Sequence, residues 1–310
     1  MKRKLVKQGP QTLVVSMPSQ WIKKNKLEKG NEVEIAEISN NLVISGKEIV
    51  EPKTKEPFVL NIDDKEDYLT KRYLTMLYRL GYEEIILTFN KSKIKKLKTR
   101  ESVPLEKYIS NLTNRFIGME IISSEKNKII LKCFTTISPE ELKSLQRRIF
   151  LLMLEFMNNL LNKNYNSNRA HDSIAKFINY FFRILNASPE ASLEDKEFFY
   201  GFFSVQDKLA DFLRHIHFEI KRAKRLSKST QTLLKEIFSL YDDLYHLYYK
   251  FKDEKSKEIV LTRYELVRKV HKARFTVPEA KIIYDADFIL LMINDFYECL
   301  IGRSLSINSN

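Results

Sequence analysis

The apolar positions of the chain change rhythm twice. Over residues 1–46 they alternate on a short period. TLVVSMP is a β-branched run closed by Pro18, the mark of a strand. PSQWIKKNKL reads as a short helix, with Ser19 near its start and Gly30 past its end. NEVEIAEI and NNLVISG alternate apolar and polar residues on either side of Ser39-Asn40-Asn41, which predicts a hairpin. Residues 47–56 are polar, carry a proline, and read as a linker. Residues 57–136 then alternate strand and helix: PFVLNI, DKEDYLTKRYLTMLYRL up to Gly81, EEIILTF, LEKYISNLTNRFIG, and a hairpin of MEIISS with KIILKCF. That order predicts a small α/β domain, a sheet packed with two helices.

From Ser138 onward the period lengthens to that of a helix. Amphipathic segments run through 140–163, 167–186, 195–227, 230–252, 255–273 and 285–305. Ser-Pro-Glu-Glu at 138–141 reads as an N-cap with proline at the first helical position. Breaks fall at Asn162-Lys163-Asn164, Ala187-Ser188-Pro189, Ser227–Thr230, Asp253 and Pro278. Six helices in two successive sets of three suggest a duplicated unit over 138–306. The fold class expected is therefore multidomain α+β, with domains at 1–46, 57–136 and 138–306.

Composition fits this picture. A chain of 310 residues exceeds what one core usually supports. With 44% hydrophobic and 30% charged residues it has the makeup of a folded protein. Seven glycines and eight prolines favour helices with short punctuation. Cys133 and Cys299 form no CxxC pattern, which excludes zinc-finger and redox-motif readings. The basic start has no apolar stretch behind it, so no signal peptide is expected. No run approaches about 18 apolar residues, so neither is a membrane span. A cytoplasmic protein with reduced thiols is the expectation.

The net charge of +13 points to an anionic partner. Its distribution sharpens that. Residues 1–27 hold Lys2, Arg3, Lys4, Lys7, Lys23, Lys24 and Lys26 and no acid, while the next ten residues hold four glutamates. A one-sided patch of this kind suits DNA phosphates and salt-dependent binding. Gln8 and Gln11 flank Gly9-Pro10 and have the amide chemistry to meet base edges. A lysine-rich face is otherwise a solvated face, and Trp21, the single tryptophan, is a packing residue before it is a base contact. A second basic run, Lys91, Lys93, Lys95, Lys96, Lys98 and Arg100, reads as a flexible loop that either extends a DNA footprint or keeps the protein in solution.

The stretch KQGPQTLVVSMPSQWIKKNKLEKGNEVEI resembles the AbrB/SpoVT/MazE swapped-hairpin family. The shared order is a basic arm, a glycine, a valine-rich strand, a proline-started helix and a Leu-x-Lys-Gly-(Asp/Asn)-x-Val turn. The likeness covers roughly 45 residues. It implies a β-barrel interleaved from two chains, hence a homodimer, bound to double-stranded DNA. Asn31 stands where the family more often has aspartate, and Pro10 beside Gly9 also departs from it.

The helical region resembles PhoU, a phosphate-uptake regulator built of two three-helix repeats. The residues that carry this are LQRRIFLLMLEFMNNLL and SVQDKLADFLRHI, with RLGYEEIIL and NRFIGMEII resembling the middle of archaeal proteins that join all three modules. The resemblance implies control of phosphate uptake or homeostasis, through DNA or through contact with a phosphate transporter or its regulatory proteins. It also implies a divalent or iron-type metal. Asp207 and Asp211, four apart on one helix, make one complete acid pair. Asp172 and Asp295 stand alone, because Asn168 and Leu291 replace their partners; His171 or His215 would assist. The competing reading is that these acids pair with nearby Arg and Lys.

No HExxH, glycine-rich phosphate loop or GxSxG occurs, so no enzyme is expected. The stripe YDDLYHLYYKF at 241–251 reads as core and groove lining. The bundle's length argues against an antitoxin, whose partner-binding tails are short.

Overall fold

A computed structural model describes residues 3–38, 41–46, 55–135, 137–188, 191–223, 225–272 and 276–308. The chain divides into two compact units, Met1–Thr54 and Lys55–Asn310.

In the first unit β1 (Val6–Lys7) pairs antiparallel with β2 (Leu13–Val14), and Gln8 N–H donates to Thr12 O at 2.8 Å. Gly9, at φ +88°, lets the chain reverse between them. Then come α1 (Ser19–Lys24) and a second hairpin, β3 (Glu34–Ile38) with β4 (Asn41–Ser45). Ile38 pairs with Asn41, so the reversal is one residue tighter than the three-residue turn expected, and Ser39 and Asn40 lie outside the described residues. The Leu-x-Lys-Gly-Asn turn is closed by Asn31, whose Oδ1 accepts the Glu28 N–H at 2.6 Å. Asparagine thus performs the acceptor role that aspartate would. Among the described residues the two hairpins remain separate sheets, and no barrel closes within one chain.

The second unit opens with β5 (Phe58–Asn61), α2 (Glu66–Arg79) and β6 (Glu84–Thr88), a right-sized crossover between parallel strands. The basic run expected to be a loop instead holds a short hairpin, β7 (Lys93–Lys95) with β8 (Ser102–Pro104). Ile94 stands between Lys93 and Lys95 and is buried, a pattern too short to register as a strand. After α3 (Leu105–Thr113), β9 (Met119–Glu125) and β10 (Lys128–Cys133) complete a sheet of order β5-β6-β10-β9. Register brings Leu60, Leu87 and Ile129 into one row and Ile85 beside Leu131, all buried. Leu74, Leu77 and Tyr78 of α2 and Ile109 and Leu112 of α3 belong to the same core.

The remaining helices are α4 (Glu141–Asn159), α5 (Ser167–Ala187), α6 (Leu193–Arg222), α7 (Lys228–Tyr249), α8 (Asp253–Lys272) and α9 (Val277–Asn308). They form a helical bundle in which α6 lies along α9, α4 along α5, and α7 along α8. Phe150, Phe202, Tyr241 and Phe296 meet at its centre from four different helices; the Phe202 and Phe296 rings are 4.1 Å apart. The tyrosine stripe behaves as the periodicity suggests. Tyr241 is buried, Tyr248 reaches Gln146 at 2.7 Å, and Tyr249 faces out.

Two helix starts differ from expectation. Ser138-Pro139-Glu140 forms a turn, and α4 begins only at Glu141. At the other end α9 starts at Val277, so Pro278 opens the helix rather than ending its predecessor's neighbourhood. Proline is tolerated in a first turn, whose N–H groups lack helical partners anyway. Among the described residues no helix is long and apolar enough to cross a membrane.

Candidate nucleic-acid interface

The first unit presents its cations openly. Arg3 and Lys4 precede β1, Lys7 ends it, and Gln8 and Gln11 sit in the loop between β1 and β2. Lys23 and Lys24 close α1, where positive charge also suits the helix's negative end. Lys26 follows at φ +53°, inside a turn fixed by Leu27 N–H donating to Ile22 O at 3.0 Å. All these side chains are exposed, and none forms a salt bridge among the described residues. Lys2 lies outside the described residues. Trp21 is half-buried.

The same unit exposes its apolar residues. Leu5, Val6, Leu13, Val15, Ile35 and Leu42 are all open to solvent, Leu42 at 72% of its surface. No residue of the unit whose exposure is described is buried. A stretch of this size cannot normally stay folded without a core. The apolar sides of both hairpins need a cover.

The four acids suggested as metal ligands fall into three different settings. Asp172 on α5 and Asp211 on α6 are brought together by His171, whose Nδ1 lies 3.1 Å from Asp172 and whose Nε2 lies 3.0 Å from Asp211. Each carboxylate also holds an arginine: Asp172 pairs with Arg115, and Asp211 with Arg214 at 2.8 Å. Asp207, one turn before Asp211, sits in the field of Lys71 and Arg79. Asp295 is exposed on α9. Among the described residues no group of three or more His, Cys, Asp or Glu side chains has metal-holding geometry. The acid set implied by the PhoU resemblance therefore does not fit a metal here: Asp172, Asp207 and Asp211 face arginine, lysine or histidine, and Asp295 stands apart on α9. His215 approaches Phe212 and Asp285 rather than this cluster.

The cluster has definite electrostatics. Burial works against a charged His171, but the hydrogen bonds to Asp172 and Asp211 outweigh it and raise its pKa. Burial likewise opposes ionised Asp211, yet His171 and then Arg214 draw its pKa down to about 2. Asp172 moves down for the same reasons. The result is a charged five-member network, Arg115–Asp172–His171–Asp211–Arg214, spanning three elements.

Two buried charged groups escaped the sequence reading. Arg183 on α5 is only 1% exposed and donates through Nη1 to Tyr78 O and Tyr82 O, both at 2.9 Å. These carbonyls lie where Gly81, at φ +86°, ends α2, so a cation plugs the negative end of that helix. Asn186 adds a bond to Arg79 O at 2.7 Å. Glu279 is the second. One of its oxygens accepts Ser227 N–H at 2.7 Å, and the other accepts the Thr276 hydroxyl at 2.7 Å. Ser227 caps α7, and Glu279 also reaches back to the Thr276 N–H at 3.4 Å, the carboxylate half of a capping box opening α9. Burial opposes its charge, but these donors hold the Glu279 carboxyl down to about 2. The capping-box spacing was readable in the sequence; the second helix it serves was not.

Comparison with family models, with curated proteins and with solved structures returned no match.

Proposed function

We propose that this chain is a DNA-binding transcription regulator that works as a homodimer. The observation that carries the reading is the coincidence, in one small unit, of exposed unpaired cations and an absent core. A second copy covering Leu13, Val15, Ile35 and Leu42 supplies the core, and an interleaved barrel of the swapped-hairpin kind is the arrangement that suits two open hairpins. Dimerisation then doubles the positive face. Arg3, Lys4, Lys7, Lys23, Lys24 and Lys26 take phosphates, with Lys2 as a further contact, while Gln8 and Gln11 at the hairpin loop meet base edges. In this reading α4–α9 are two PhoU-like three-helix repeats, and the genes controlled serve phosphate uptake or homeostasis.

The test is a gel shift of the full chain on genomic DNA fragments. Retardation should weaken steeply as salt rises and vanish when Lys23, Lys24 and Lys26 all become alanine. Absence of any shift at roughly 50–100 mM salt, where electrostatic DNA binding is strong, would overturn the proposal. In that case a phosphate-transporter adaptor, with the N-terminal unit serving only to dimerise, takes its place.

A further inference from the structure

The α/β part of the second unit contains two open cavities of different electrical character. The larger, about 660 Å³ beside the ends of β5 and β6, is lined by three acids and three lysines, which offset one another. The smaller, about 420 Å³, lies between α2 and α3 and is one-sided. Four cations line it, Lys71, Lys96, Lys107 and Arg115, against the single carboxylate of Asp67.

That carboxylate is engaged, since its Oδ1 accepts the Leu97 N–H at 3.0 Å. The Tyr108 hydroxyl is engaged too, donating to Asp67 O at 2.6 Å. Arg115 holds Asp172, but the three lysines are not engaged in this way. Lys71, Lys96 and Lys107 form no salt bridge among the described residues, and the Asn111 side-chain amide has no hydrogen-bond partner among them. Burial first, then Arg115 and Arg72, push the Lys71 ammonium below its ordinary range, against the smaller opposing pull of Asp207 and Asp211.

The wall is arranged for convergence. Asp67 and Lys71 are four apart on α2, Lys107 and Asn111 are four apart on α3, and Arg115 follows in the turn after that helix. Residues four apart share a helix face, so both helices turn their donors toward one space. Val103, Leu112 and the Tyr108 ring add an apolar side. A cavity of this volume matches a small ligand rather than a chain segment.

We infer that this pocket binds the phosphate group of a small anion. Lysine ammonium groups supply point charges for a doubly charged phosphate, and the Arg115 guanidinium supplies a planar fork. Arg115 also holds Asp172, so an anion in the pocket draws on the same guanidinium that anchors the His171 network of the bundle. The site is thus wired to α5 and α6. This inference does not depend on whether residues 3–26 contact DNA.

Calorimetric titration of the full chain with ribose 5-phosphate, inorganic phosphate and ribose tests it. The phosphorylated sugar should bind saturably at one site per chain, and ribose should not bind. Inorganic phosphate binding as well as the sugar phosphate identifies the free ion as ligand; binding weaker by about tenfold or more identifies a phosphorylated metabolite. Lys71→Gln and Lys107→Gln should each weaken binding by about tenfold, the scale of one lost charge-assisted bond. Lys107 is exposed, so its substitution leaves the fold intact even if that of Lys71 does not. Failure of both anions to bind, or wild-type affinity in the Lys107 variant and a folded Lys71 variant, would overturn the inference. So would loss of duplex-DNA affinity in these variants without any small-anion binding, which would make the cations part of a nucleic-acid surface.

Discussion

The N-terminal unit buries none of the residues whose exposure is described, while the larger unit seals Phe150, Phe202, Tyr241 and Phe296 at its centre and even buries Arg183 and Glu279. What separates them is the number of elements available to cover each other. Two short hairpins and a six-residue helix leave Leu5, Val6, Leu13, Val15, Ile35 and Leu42 exposed and Trp21, Ile22 and Leu27 only half-covered. The six long helices around the aromatic centre do not. The contrast teaches that the larger unit carries its own stability, whereas the smaller one borrows it from a second copy in the proposed dimer.

The sharpest way to break this comparison is to damage the self-sufficient side. Phe202→Ala should lower the unfolding free energy of the larger unit by about 3–5 kcal/mol, because a fully buried ring leaves a cavity. Chemical denaturation followed by circular dichroism measures it, and a loss below about 1 kcal/mol would show a core looser than the packing indicates.

The dependent side should respond to concentration instead. Leu42→Asp removes an apolar contact worth about 1.5–3 kcal/mol in each copy of a dimer. Sedimentation should show dissociation at concentrations where the wild type is dimeric, with the bundle's helical signal unchanged. A monomeric wild type would end the borrowed-core explanation.

Within the larger unit, Glu279→Gln should cost about 1–3 kcal/mol, since an amide nitrogen replaces one of two oxygens that accept from Ser227 and Thr276. The pH dependence follows from its depressed folded value. Glu279 contributes stability that is fully present above its ordinary value of 4.5 and is lost as pH falls through about 2. Wild type and variant should therefore converge in acid, and parallel curves down to pH 2 would contradict the assignment.

The smallest effect is expected at His171. Its folded pKa is raised, so its contribution is complete below the ordinary value of 6.5 and fades as pH climbs through the raised one. Asp172 and Asp211 are partly exposed, which limits His171→Asn to about 1 kcal/mol or less at mild acidity. NMR titration of the His171 ring gives the pKa directly; a value at or below 6.5 would remove the network's bias toward acid.

Most helices and strands were legible because their periods are long or strongly β-branched, as in EEIILTF and LQRRIFLLMLEFMNNLL. The β7–β8 hairpin was not, because a single apolar Ile94 between lysines carries no periodic signal. The cations of residues 3–26 could be seen as a patch from spacing alone. The acids on α5 and α6 could be named, but not their partners: Arg115 and Asp172 are far apart in the chain and meet only when α5 packs against the α/β part. The anion pocket left a faint trace, the four-residue spacing of Lys107, Asn111 and Arg115, which acquires meaning only once Lys71 faces it.

By itself the sequence determined most of the order of elements and the concentration of positive charge ahead of Glu28, since each depends on neighbours a few residues apart. The tertiary structure decided which charges are satisfied. It drew Asp172 and Asp211, two of the four supposed metal ligands, into an Arg–Asp–His–Asp–Arg chain, put Arg183 at the end of α2, and left the described side chains of the first unit unburied. Those outcomes depend on which surfaces are brought together across the fold, and local period says nothing about that.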